Sequence, residues 1–234
     1  MPDLFKEGVL NMSTEPLGPS AGAPLWEECA VNHWAVVLVL VFFVLELADL
    51  IRLYPDLLRC LGRWKGNLDL EHSVSKARTR NTIALVSGLA MCLVADRWGL
   101  VAPSFKLVLP AEWQLAVTSG LIVGTVLLRR LLYLGSNFRS LTSEFSQTLR
   151  HTIYNYLILL VSLMLVSVVL MVALKVPDTA ARAVLYVEAA LFYVIHLVRT
   201  GQILRSRFGT LATILYLCAL EILPVGILIF ACTL

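Results

Sequence analysis

Residues 208–234 read FGTLATILYLCALEILPVGILIFACTL, an apolar segment whose only charged residue is Glu221. At 1.5 Å per residue such a run crosses the ~30 Å hydrocarbon core of a bilayer. It contains two features that an inert anchor does not need. An ionised carboxyl facing lipid costs roughly 2.5–3.5 kcal/mol or more, and Pro224 removes a backbone donor and disturbs the carbonyl one turn back, beside Leu220. Together they predict an inward-facing polar centre on a membrane-spanning helix.

The rest of the chain repeats the pattern. Hydrophobic residues make up 59% of it and charged residues only 15%, with a mean hydropathy of +0.81. These values point to an all-α, polytopic transmembrane bundle rather than a soluble domain. The apolar runs divide residues 31–234 into about six spans: 31–53, 81–94, 113–134, 153–174, 181–198 and 208–234. Residues 1–30, with Pro2, Pro16, Pro19 and Pro24 and more acids than bases, read as a disordered acidic tail without a cleavable signal peptide.

Between the spans, Pro55 is expected to break the first helix, and Leu57, Leu58, Leu61 and Trp64 alternate with bases as in a short interfacial helix. Residues 66–80 read as a polar connector. Phe138, Leu141, Phe145 and Leu149 recur at helical spacing, which predicts a second amphipathic helix. Ala84 with Gly88, and Gly120 with Gly124, suggest close helix contacts. The loops after spans one, three and five carry fourteen Lys and Arg, against five elsewhere. The positive-inside rule therefore puts both termini on the non-cytoplasmic side.

Glu221 and Pro224 lead the candidates for an intramembrane polar centre, with Glu46, Asp49 and Glu188 as further acids in or near spans. A proton- or cation-binding carboxyl accounts for Glu221; so does a protonated glutamic acid hydrogen-bonded between helices. Asp49 and Arg52 share a helix face and can pair near the headgroups. Arg52, Arg129, Arg130, His196 and Arg199, all near the basic face, are candidate contacts for lipid phosphate, although such residues also set topology.

No P-loop, HExxH, GxSxG or dinucleotide-binding glycine pattern is present, so no catalytic residue is assigned and an enzyme is the less favoured reading. The five cysteines are scattered, with neither a CxxC pair nor a His/Cys cluster, so no metal or cofactor is expected. Nothing suggests a nucleic-acid partner.

The segment Leu215-Tyr216-Leu217-Cys218-Ala219-Leu220-Glu221-Ile222-Leu223-Pro224, with the exit from span one through Leu53, Tyr54 and Pro55, resembles an integral membrane family of Bacteroidota catalogued as a domain of unknown function. The resemblance implies a bacterial inner-membrane location and brings no activity or site residue with it. The reading that follows is a non-catalytic subunit or assembly factor of an inner-membrane complex, in contact with lipids and with a membrane-protein partner or further copies of itself. The alternatives are a small proton- or cation-coupled transporter or channel using the intramembrane carboxylates, and a protein that handles lipid or polyprenyl phosphate.

Overall fold

The computed structural model describes residues 26–63, 65–135 and 143–233. Residues 1–25 of the expected tail, and Phe138 and Leu141 of the expected linker helix, lie outside them. Trp26–Glu28 form a single 3-10 turn, and the remaining elements are helices with one further 3-10 turn in a connection. They are α1 (Ala30–Gly62), α2 (Lys65–His72), α3 (Val74–Arg97), α4 (Ala111–Gly135), α5 (Ser143–Ala173), α6 (Asp178–Arg205), α7 (Thr210–Leu217) and α8 (Leu223–Thr233). A π turn, Cys218–Ile222, joins α7 to α8.

Among the described residues, five helices are long and apolar enough to cross a membrane: α1, α4, α5, α6 and the continuous stretch Thr210–Thr233. These five helices indicate a membrane protein. Helix α3 matches them in length, but Lys76, Arg78 and Arg80 in its first turns dilute its apolar character. It is nevertheless central, because it packs against α1, α4 and α5. Ile83, Ala84, Val86, Ala90, Val94 and Ala95 are buried along it, and their modest size lets three neighbours approach.

Two local expectations are overturned. Pro55 does not break the first span, since α1 runs through it to Gly62. The proline costs one backbone bond, to the carbonyl of Ile51. Leu50 and Leu53 before it and Leu57 and Cys60 after it are all buried in one cluster with Leu70, Ile83, Ile158 and Leu159, and that packing holds the axis on both sides. Leu57, Leu58 and Leu61, expected in an interfacial helix after Pro55, thus belong to the end of α1, and Trp64 lies outside the described residues. Residues 66–80 are not a plain connector either: α2 and the start of α3 occupy them, with Ser73 between.

Two further clusters complete the core. Val94, Met164, Met171, Ala181 and Leu185 join α3, α5 and α6 at one end. Tyr133, Leu149, Ile203, Leu204 and Leu220 join α4, α5, α6 and the π turn at the other. Many of the other apolar side chains face outward; Leu45 and Val169 are both 70% exposed, as a lipid-facing surface requires. The expected glycine contacts are absent among the described residues: a Cβ at Gly88, Gly120 or Gly124 would meet nothing there within 4 Å, and only Ala84 of that set is buried. All five cysteines are free.

Candidate functional site

The last helix positions the site. Pro224 has no N–H to donate to Leu220, and here the helix widens by one residue: the Leu223 N–H bonds the Cys218 carbonyl, five residues back. Glu221 sits in this widened turn, 3% exposed, and Pro224 beside it is buried as well.

Four donor contacts converge on the Glu221 carboxylate. Arg129 of α4 donates from Nη2 to Oε1 at 2.7 Å and from Nε to Oε2 at 2.9 Å, a bidentate fork. Tyr133, one turn further along α4, donates to Oε1 at 2.6 Å, and its ring lies 4.9 Å beneath the Arg129 guanidinium. His196 of α6 places Nε2 3.1 Å from Oε2, and its Nδ1 lies 3.4 Å from the Thr200 hydroxyl. Tyr193, also on α6, donates to the Glu221 backbone carbonyl at 3.2 Å. Spacings of four on α4 (129, 133) and on α6 (196, 200) put each pair on one helix face. The carboxylate therefore ties α4, α6 and the last helix together.

A polar chain continues from it. The Tyr156 ring packs 5.5 Å from His196, and its hydroxyl donates to the Cys60 carbonyl at 3.2 Å. Asn67 donates to that hydroxyl at 3.4 Å and accepts from Asn155 at 2.7 Å. Arg199 donates to the carbonyls of Leu61 and of Gly62, and to Gln202. It thereby caps the last turn of α1 from α6.

A second charge cluster lies at the α2–α3 junction. Arg80 is 1% exposed and bonds Glu71 Oε2 at 2.6 Å, while His151 Nδ1 lies 3.0 Å from Oε1. Burial alone would raise the Glu71 pKa, but the His151 and Arg80 hydrogen bonds outweigh it and hold the carboxyl at about 2. Sequence reasoning missed Glu71 and Arg80 because they fell in the supposed connector, residues 66–80.

The third cluster is at the opposite end of α3. Asp96 Oδ1 accepts from Lys106 Nζ and from the Thr118 hydroxyl, each at 2.7 Å, and Oδ2 accepts from the Trp26 indole at 2.7 Å. Lys106 also reaches Thr118 at 2.8 Å. Gly99, at φ +58, closes α3 beside this cluster, and a Cβ there would come within 3.3 Å of Arg182 Nη2.

The candidates read from the sequence are therefore divided. Arg129 and His196 join Glu221 and Pro224, and Arg199 lies one turn from His196 on the same helix. Glu46, Asp49 and Glu188 share no hydrogen bond or ion pair with Glu221. Asp49 and Arg52 pair with each other at 3.8 Å, largely exposed. Glu188 accepts from Ser167, and its other oxygen is buried without a partner among the described residues. Arg130 is exposed. Tyr133, Tyr193 and Thr200 went unnoticed, because only their position one turn from Arg129 or His196 marks them. Among the described residues no group of three His, Cys, Asp or Glu stands together as metal ligands.

No match was found among curated proteins or among solved structures. Residues 81–231 match the family described as Domain of unknown function (DUF4271). The matched stretch holds Arg129, Tyr133, His196 and Glu221 and leaves out α1 and α2. Because the match covers more than half of the sequence, this chain belongs to the DUF4271 family.

Proposed function

We propose that this protein is a non-catalytic subunit or assembly factor of a bacterial inner-membrane complex. The observation that carries this reading is the saturation of Glu221: donors from two other helices occupy both carboxylate oxygens. A carboxylate held this way fixes helices relative to one another, as a framework presenting its outer faces to lipid and to a partner requires. The bacterial setting, within Bacteroidota, rests on the likeness of the segment around Glu221 and Pro224.

In this reading α3 is a sixth crossing, shielded by α1, α4 and α5, and α2 lies at the cytoplasmic interface. Two contacts support an even number of crossings. Trp26 near the start bonds Asp96 at the end of α3, and Cys232 near the end of the sequence lies against Ala102 just beyond it. Both termini then share the side opposite the basic loops, which is the non-cytoplasmic side.

The test is purification from the native membrane in mild detergent, with identification of everything retained. A membrane protein present at fixed stoichiometry, weakened or lost with Glu221→Gln, is the expected result. A monodisperse protein without any partner overturns the reading.

A second reading, a proton- or cation-coupled transporter, draws on one specific feature: Glu221 sits in a π turn, a distortion frequent at functional sites. It predicts flux in liposomes that Glu221→Gln abolishes without unfolding the protein. Lipid- or polyprenyl-phosphate handling at Arg129, Arg130 and Arg199 has less support, since Arg129 and Arg199 are already engaged within the chain.

A further inference from the structure

A cleft of about 810 Å³ opens where α1, α2 and the start of α3 meet, lined by Asp56, Arg59, Arg63, Asp69, Leu70 and Lys76 among others. Its size is that of a small-molecule site. Gly66 makes one wall possible. A Cβ there would stand 3.1 Å from the Arg59 carbonyl oxygen, a tight approach, so a larger residue would press α2 away from the last turn of α1.

The charges in the cleft are unequally committed. Asp56 is taken by Lys76 at 2.6 Å and more loosely by Arg59 at 3.5 Å. The Arg63 side chain and the Asp69 carboxylate are exposed and make no hydrogen bond or ion pair among the described residues. What remains available is a guanidinium, a second guanidinium only weakly held, and a carboxylate. A simple anion entering the cleft meets Asp69; a simple cation meets Arg63 and Arg59. A ligand carrying both signs satisfies all three.

The cleft also lies at the end of a helix apolar enough to cross a membrane. On that helix Ile51 and Leu58 are exposed, within about two turns of Arg59. Hydrocarbon lying along them would bring a headgroup to the cleft. We infer that the cleft between α1, α2 and α3 binds the headgroup of a phospholipid carrying both a phosphodiester and a primary ammonium. Arg63 and Arg59 take the phosphate oxygens, and Asp69 accepts from the ammonium. This site is separate from Glu221 and does not depend on the scaffold reading.

Delipidated protein in detergent, titrated with phosphatidylethanolamine, phosphatidylglycerol or phosphatidylcholine and read by native mass spectrometry, tests the inference. Phosphatidylethanolamine should be retained about five-fold better than the other two, the size of one partly screened ion pair. Asp69→Asn removes the acid that repels a plain anion, so preference should shift toward phosphatidylglycerol. Arg63→Gln should weaken phosphatidylethanolamine by a similar factor. Neither side chain holds the fold, and unchanged helical circular dichroism checks this; a change of preference in Asp69→Asn cannot arise from unfolding. Equal retention of the three lipids overturns the inference, as does a wild-type preference for phosphatidylglycerol or a preference unmoved by either variant. Binding of free phosphoethanolamine without retention of the lipid also overturns it, in favour of a soluble zwitterion.

Discussion

Two buried carboxylates, Glu221 and Asp96, find their cations in opposite ways. The guanidinium on Glu221 comes from Arg129, 92 residues away, and its other donors come from α4 and α6. The ammonium on Asp96 comes from Lys106, 10 residues on, in the connection leaving the same helix. The first arrangement fastens α4, distant in sequence, to α6 and the last helix. The second pins a connection and, through Trp26, the entry to α1. One fixes the bundle and the other its edge.

Arg129→Met should break the first with the largest effect. It strands a buried carboxylate with only Tyr133 and His196 as donors, a loss of about 3–5 kcal/mol. Thermal unfolding in detergent measures it. Arg129→Met combined with Glu221→Gln should recover most of the loss, because no unpaired charge is then left buried. A double variant no more stable than the single one would mean that Arg129 packs rather than pairs.

Lys106→Met is the matched experiment at the other end, with a smaller expected cost of about 1–3 kcal/mol. Asp96 keeps Thr118 and Trp26, and the neighbouring exposed residues Ala102 and Ser104 let the connection open to water. Trp26 stays bonded to Asp96, so thermal unfolding in detergent, rather than tryptophan fluorescence, measures the loss. A cost equal to that of Arg129→Met would erase the distinction between bundle and edge.

Glu71 extends the comparison to pH. Its pKa falls from an ordinary 4.5 to about 2 in the folded protein. A depressed folded pKa stabilises above the unfolded value, so the contribution is complete above about pH 4.5 and is lost as pH falls toward 2. About 1–2 kcal/mol should disappear across that window, allowing for partial solvent screening. Unfolding midpoints recorded from pH 6 to pH 2 should slope for the wild type and flatten for Glu71→Gln. An equal slope in both would remove Glu71 from the charges that hold the α2–α3 junction.

These pairings explain what could be read in advance. The long apolar runs announced their helices, and Glu221 stood out as the one charge in the last of them. Its partner did not. Arg129 and Arg130 are adjacent and chemically alike, and about 100° of helix rotation separates the one that turns inward from the one that faces out. That choice belongs to the packing of α4 against α8 and the π turn, which a uniformly apolar helix does not encode in its periodicity. Arg80 was hidden for a different reason. Three basic residues in five positions read as solvated linker, yet Glu71, nine residues back, and His151, which reaches Glu71 from α5, allow one of them to be buried. Pro55 misled because propensity speaks for one backbone bond, while four buried residues around it speak for the helix.

Gly120 and Gly124 on α4 are the smallest test and the one that probes the outside of the bundle. Their spacing suggests a tight helix contact, but among the described residues a Cβ at either meets nothing within 4 Å. The double change Gly120→Ala, Gly124→Ala should therefore leave the fold unstrained, and the better helix propensity of alanine should offset any lost contact with lipid. Stability should stay within about 0.5 kcal/mol of wild type. A larger loss, with a smaller particle on size exclusion, would place a neighbouring helix against that face. The same α4 that anchors Glu221 inward through Arg129 would then also face a partner outward, and the framework formed by Glu221 would extend beyond a single chain.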